Sequence, residues 1–145
     1  MIIYLARIGL SLLLSALIGS EREYNDKPAG LRTIMLVCLG TTLFTIISIL
    51  LRGIEGNSNY DLGRIIAYTI AGIGFLGSGV IIQNKGNVEG VTTAGTLWAM
   101  VGIGVFCGLG YYILAMASTL CIYIILIMPY VITKLKKLFK RNGKS

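Results

Sequence analysis

An all-α fold is predicted for this chain: a polytopic integral membrane bundle of five transmembrane helices, amino terminus outside and carboxyl terminus cytoplasmic. Three observations predict it. The first is composition: 55% of the 145 residues are hydrophobic against 13% charged, and mean hydropathy is +0.81. So few charges cannot cover the exterior of a soluble domain, whereas lipid removes that need. The second is the length of the apolar runs, which suits the roughly 30 Å bilayer core that about 20 helical residues cross. The third is the distribution of charge, which gathers in the connections and at the carboxyl end.

The first apolar run extends from Ile2 to about Gly19. Its only early basic residue is Arg7 and no small-residue cleavage pattern follows, so it reads as a retained helix rather than a secretory leader. The second, Thr33 to Leu51, carries no charge, and the third covers Ile65 to Ile82. From Val91 to Val131 the chain is long enough for two spans, with Gly108-Leu109-Gly110 as the break. This places helices near Thr92–Cys107 and Tyr111–Val131. Pro129 is expected to kink or end the last one. Beyond it, Leu135, Leu138 and Phe139 share one face of a basic segment, which suits a short amphipathic helix on the inner leaflet. The organisation expected is a transmembrane domain over residues 1–133 and a basic juxtamembrane tail over 134–145.

Orientation follows from the basic residues of the loops. Arg22, Lys27, Arg32, Lys85 and the tail residues Lys134, Lys136, Lys137, Lys140, Arg141 and Lys144 fall on one side, against Arg52 and Arg64 on the other. The richer side is assigned to the cytoplasm. A basic tail next to an apolar run is a membrane anchor for anionic lipids, not a nucleic-acid surface.

The chemistry on offer is narrow. There is no histidine, which removes the commonest general base and metal ligand. Cys38, Cys107 and Cys121 lie singly in apolar runs and read as packing residues. Glu21, Glu23, Asp26 and Glu89 belong to the inner loops and Glu55 and Asp61 to the outer ones, so no carboxylate is expected at mid-membrane depth. Proton relays and pumps place ionisable groups inside their spans, which argues against a pump. Arg7, within the first span, is near enough to the outer end to snorkel.

Gly72-Ile73-Gly74-Phe75-Leu76-Gly77 matches a dinucleotide fingerprint in letters, but that motif requires a strand–turn–helix setting that a membrane span does not provide. Close helix packing is the reading favoured here; an opened backbone presenting carbonyls to an ion is the other. Arg7, Ser11, Ser15 and Gly19 form a stripe on the first helix. Thr92, Gly95, Thr96, Ala99 and Gly102 form a small, polar face on the fourth, beside a GxxxG at Gly104 and Gly108. These faces are expected to meet inside the bundle. The inner loops carry a polar constellation: Glu21-Arg22-Glu23, Ala29-Gly30-Leu31-Arg32-Thr33, and Asn87 through Thr93. One reading is structural, with Glu21 or Glu23 paired to Arg32 and Thr92 or Thr93 as an N-cap. The other is a site for a partner protein, a ligand or Mg²⁺. Both stay open on the residues alone.

In this order, the motifs Gly19-Ser20-Glu21-Arg22-Glu23, Lys27-Pro28-Ala29-Gly30-Leu31-Arg32-Thr33, Arg64, Gly72 through Gly79, and Gly90 through Trp98 resemble the MgtC/SapB family of bacterial membrane proteins. The resemblance implies a non-enzymatic, cofactor-free, multi-pass protein of the bacterial plasma membrane. It implies a modulator of membrane ATPases or transporters, linked to Mg²⁺ homeostasis and to stress and virulence adaptation. It also implies partners: another membrane protein such as an ATPase, and a second copy of the chain. The short form without a cytoplasmic carboxyl-terminal domain is the closer comparison. The alternative is a Mg²⁺ transporter or channel lined by the Gly/Thr-rich faces of helices three and four. The residues expected to carry function are Glu21, Arg22, Glu23, Arg32, Thr33, Arg64, Gly74, Gly77, Thr92, Thr93 and Trp98; no metal ligand set is assigned.

Overall fold

The computed structural model describes residues 1–55, 61–84 and 87–142. It contains five helices: α1 (Ile2–Tyr24), α2 (Leu31–Glu55), α3 (Leu62–Gly79), α4 (Val91–Leu109) and α5 (Tyr112–Asn142). Four of them, all but α3, are long and apolar enough to cross a membrane. At 18 residues α3 is the shortest, about 27 Å at the usual helical rise. The arrangement is a polytopic helical membrane bundle. Large apolar side chains such as Leu13, Phe75, Ile113 and Ile125 point outward, as lipid permits and water would not.

Helix α4 is the hub, packing against each of the other four helices, while α2 packs against α1, α3 and α4. Its buried positions Thr93, Leu97, Met100, Gly104, Cys107 and Gly108 recur every three or four residues, so they form one stripe. The core there is Ile18, Ile34, Cys38, Leu97, Met100, Ile103 and Cys107. Cys121, expected to pack like the other two cysteines, is exposed.

Glycine sets how closely α2 and α4 approach. A Cβ on Gly108 would lie 2.5 Å from Thr45 Cβ, and one on Gly104 would lie 2.7 Å from both Thr41 Cβ and the Cys38 carbonyl oxygen. Contact at this distance lets the Thr42 hydroxyl reach the Gly104 carbonyl oxygen at 3.1 Å across the seam, besides its own helix's Cys38 carbonyl at 2.9 Å. Most other buried hydroxyls in the bundle are satisfied within their own helices. Ser15 donates to Ser11 O at 2.6 Å, Thr45 to Thr41 O and Thr119 to Ala115 O. This spares the cost of a free polar group in an apolar interior.

The stripe on α1 is inward, with Ser11, Ser15 and Gly19 buried; a Cβ on Gly19 would lie 2.9 Å from Leu31 Cα. The small face expected on α4 is different. Thr96 is buried, but Thr92, Gly95 and Gly102 are exposed, because the GxxxG edge rather than this face meets α2. Arg7 does not simply snorkel. Its Nη1 donates to the Gly108 carbonyl at 2.7 Å and its guanidinium stands 5.4 Å from the centre of the Tyr4 ring. The left-handed C-cap at Gly110, φ 85°, lets the Gly110 and Tyr111 N–H groups satisfy the Cys107 and Phe106 carbonyls, and Arg7 serves the Gly108 carbonyl beyond them. Arg7 Nε and Ser48 Oγ are fully buried without a hydrogen-bond partner among the described residues.

Two boundaries differ from expectation. Helix α3 was expected to reach Ile82 but stops at Gly79, and Ile82–Asn84 pairs antiparallel with Asn87–Glu89 as a two-stranded ribbon. Gly90, at φ 87°, turns the ribbon into α4, and the Val80 carbonyl occupies the place its Cβ would take. At the other end, Pro129 lies inside α5, which continues to Asn142. Proline therefore does not end the helix. The leaflet-bound face expected of Leu135, Leu138 and Phe139 lies outside the described side chains.

Candidate functional site at the loop end of the bundle

The end of α1, the start of α2, the ribbon and the start of α4 come together at one end of the bundle, beside the part of α5 around Tyr130. The last turn of α1 holds the single ion pair among the described residues. Arg22 Nε and Nη2 donate to Glu21 Oε2 and Oε1 at 2.6 and 3.0 Å, and the side chains are 3% and 6% exposed. Adjacent helical residues do not normally face each other. Here both side chains fold back into one bidentate fork, the strong form of a charge-assisted contact. Asn25 Nδ2 adds a bond of 2.9 Å to Glu21 Oε1. The expected pairing of Glu21 or Glu23 with Arg32 is absent among the described residues: Glu21 is consumed by Arg22.

Glu23 does something else. Its Oε2 accepts the Leu31 backbone N–H at 2.9 Å, so a carboxylate from α1 caps α2, where the helix's free donors and positive end favour an anion. A Cβ on Gly30 would project where that carboxylate lies, so a larger residue there would push the cap aside. Between the two helices Asp26 adopts φ 50°, an αL turn that Asp tolerates better than most residues. The expected Thr92 or Thr93 cap on α4 is also absent. Gly90 holds the N-cap position without a side-chain bond, since a left-handed residue was needed there.

A cavity of about 710 Å³ opens here, lined by Arg22, Asp26, Lys27, Glu89, Thr92 and Thr93 on one side and by Ile125, Leu126, Pro129 and Tyr130 of α5 on the other. Of the residues singled out in the sequence, it gathers Arg22, Thr92 and Thr93, with Glu21 just behind. It leaves Arg32 exposed on α2, and Thr33 instead lines an apolar groove between α2 and α3 with Phe44, Tyr68 and Leu76. Arg64 and Gly74 are exposed on α3, and Trp98 is 61% exposed on α4. The close packing expected of the glycine motif is not seen: a Cβ on Gly72 or Gly74 would meet nothing within 4 Å, and one on Gly77 would make only ordinary contact with Ala94 Cβ at 3.6 Å. Asn25 and Tyr130 are the residues that the sequence did not point to, whereas Asp26 and Glu89 were placed in the inner loops, Glu89 within the polar constellation, but not among the residues expected to carry function. No group of three or more Cys, Asp or Glu side chains placed to hold a metal occurs among the described residues.

The bundle and its charged end define a class, the multi-pass helical membrane proteins whose carboxylates sit at the ends of the helices. The MgtC family profile matches residues 8–135, and the chain belongs to that family. It is 44% identical over 119 residues to "Protein MgtC" of Salmonella typhimurium, covering 82% of this chain and 49% of the relative. With the "Protein MgtC" of Brucella abortus it shares 42% over 110 residues, 76% of this chain and 44% of the relative. An uncharacterized protein of Haemophilus influenzae is 36% identical over 128 residues, 85% of this chain and 54% of its own length. The chain thus spans about half the length of the curated relatives it matches. No solved structure matches it.

Proposed function

We propose that this protein is a non-enzymatic modulator of other membrane proteins, ATPases or transporters, in the bacterial inner membrane. In this reading the loop end faces the cytoplasm and the basic tail rests on anionic lipid, as the bias in loop charge favours. Its connection with Mg²⁺ homeostasis and with stress and virulence adaptation follows from the family resemblance. What supports a regulator is the position of the acidic residues. Glu21 and Glu23 lie in the last turn of α1, Asp26 in the following connection, Glu55 at the end of α2, Asp61 at the N-cap of α3 and Glu89 in the ribbon. Proton relays and pumps place such groups along their path, whereas here they gather at the helix ends and in the connections. The exposed glycine faces and Trp98 are suited instead to contact with neighbouring helices.

Arg32 is the residue to test, because it is exposed and removing it disturbs no ion pair among the described residues. Arg32→Ala is expected to lower co-purification of an ATPase or transporter from native membranes by about tenfold or more, as loss of a charged interface contact does, at an unchanged level of the protein. Undiminished co-purification would remove Arg32 from the interface. The transporter reading is tested in proteoliposomes containing this protein alone, where no cation uptake is expected. Uptake that Gly77→Leu abolishes in a folded variant would replace the regulator with a conduit along α3 and α4.

A further inference from the structure

We propose that the loop-end cavity is a binding site for a phosphate group, carried by the headgroup of an amine-bearing phospholipid. The inference stands independently of the regulator reading. Helix α4 has 19 residues and starts without a side-chain cap, and its first residues Val91, Thr92 and Thr93 line the cavity, which brings the helix's uncapped, partly positive end to it. Two buried side chains point to what fills it. Thr93 is 2% exposed and lines the cavity. Its neighbour Thr96 donates to Thr92 O at 2.8 Å, but the Thr93 hydroxyl bonds nothing among the described residues. Arg22, 3% exposed, spends Nε and Nη2 on Glu21 and keeps Nη1 without a partner among them. A hydroxyl, a guanidinium N–H, first-turn amides and the Lys27 ammonium form a donor set suited to a tetrahedral oxyanion.

The same cavity carries two carboxylates, Asp26 and Glu89, neither in an ion pair among the described residues. They disfavour a bare anion and favour a ligand with an ammonium close to its phosphate, the chemistry of a phosphoethanolamine headgroup. The opposite wall of Ile125, Leu126, Pro129 and Tyr130 belongs to a membrane-crossing helix and offers apolar surface to the glycerol and first acyl carbons. Phosphate has two sources, lipid and solution; the apolar wall and the carboxylates both favour lipid.

The test uses the full chain, delipidated in detergent. Native mass spectrometry would titrate phosphatidylethanolamine and phosphatidylglycerol of identical acyl chains, and thermal unfolding would be followed with inorganic phosphate. Phosphatidylethanolamine is expected to bind more tightly than phosphatidylglycerol. Thr93→Val, which keeps the side chain's shape, and Lys27→Ala, at an exposed position, are each expected to weaken that binding about tenfold while unfolding without lipid is unchanged. Asp26→Asn is expected to narrow the preference between the two lipids. Equal lipid binding by both variants and the parent protein would overturn the site. Equal affinity for the two lipids would overturn the amine assignment. Stabilisation by inorganic phosphate with no lipid preference would overturn the lipid source.

Discussion

Replacing Gly108 by leucine is expected to separate α2 from α4 and leave little folded protein. The seam has no slack at this point: even a methyl group on Gly108 would stand 2.5 Å from Thr45 Cβ and 3.0 Å from the Thr42 carbonyl oxygen. Gly108→Ala should already cost about 1–3 kcal/mol, the usual penalty for overfilling a packed interior. Leucine adds three more carbons against backbone that cannot move without displacing α4 from the helices around it. Unfolding in mixed micelles on addition of a denaturing detergent would measure this. Gly102→Leu is the control, since Gly102 has open space where its Cβ would be; a surface change of that kind usually stays within about 0.5 kcal/mol. Equal stability of the Gly108 and Gly102 variants would mean that the glycine seam does not hold α2 to α4.

The second large effect belongs to the Glu21–Arg22 fork. Both side chains are nearly inaccessible, so Arg22→Leu strands a carboxylate and Glu21→Leu strands a guanidinium. Each single change is expected to destabilise by about 3–5 kcal/mol, the range for breaking a buried pair by removing one partner. The double variant should recover most of that loss, because an apolar pair of similar volume avoids desolvating two charges. A double-mutant cycle in the same unfolding assay reads the coupling directly; additive losses would show that the two side chains act separately. These variants are poor probes of partner binding, since they alter the end of α1 itself, and Arg32→Ala is preferable for that purpose.

Much of the bundle was legible in the sequence because lipid leaves few solutions: long apolar runs must become helices, and glycine must break the longest of them. The stripe from Arg7 to Gly19 was readable for the same reason, a strict four-residue spacing. Which small face of α4 points inward was not. Periodicity identifies faces but not neighbours, and two competed, one through Gly95 and Gly102 and one through Gly104 and Gly108. The second meets the threonines of α2, Thr41 and Thr45, a complementarity visible only once both helices are in register. The ribbon was hidden as well, because strands of three residues are too short to show alternation.

At the candidate site, residue type was informative and pairing was not. Glu21, Arg22 and Glu23 were legible as a polar cluster, but helical geometry disfavours a bond between adjacent positions, so Arg32 looked the better partner. A capping threonine was a sound expectation for α4. It yielded to the left-handed turn at Gly90, a backbone requirement that no hydroxyl can replace.

The bond from Arg7 to the Gly108 carbonyl joins residues 101 positions apart in sequence, and this bears on how the chain is made. When α1 first enters the bilayer its guanidinium has no partner from α4, because that helix is still to be synthesised. An arginine within a span is costly until it is matched, so the first span is expected to gain this contact only after the last turn of α4 has been made. Assembly of the bundle is therefore expected to finish late and cooperatively, with its earliest helix among the last to be secured.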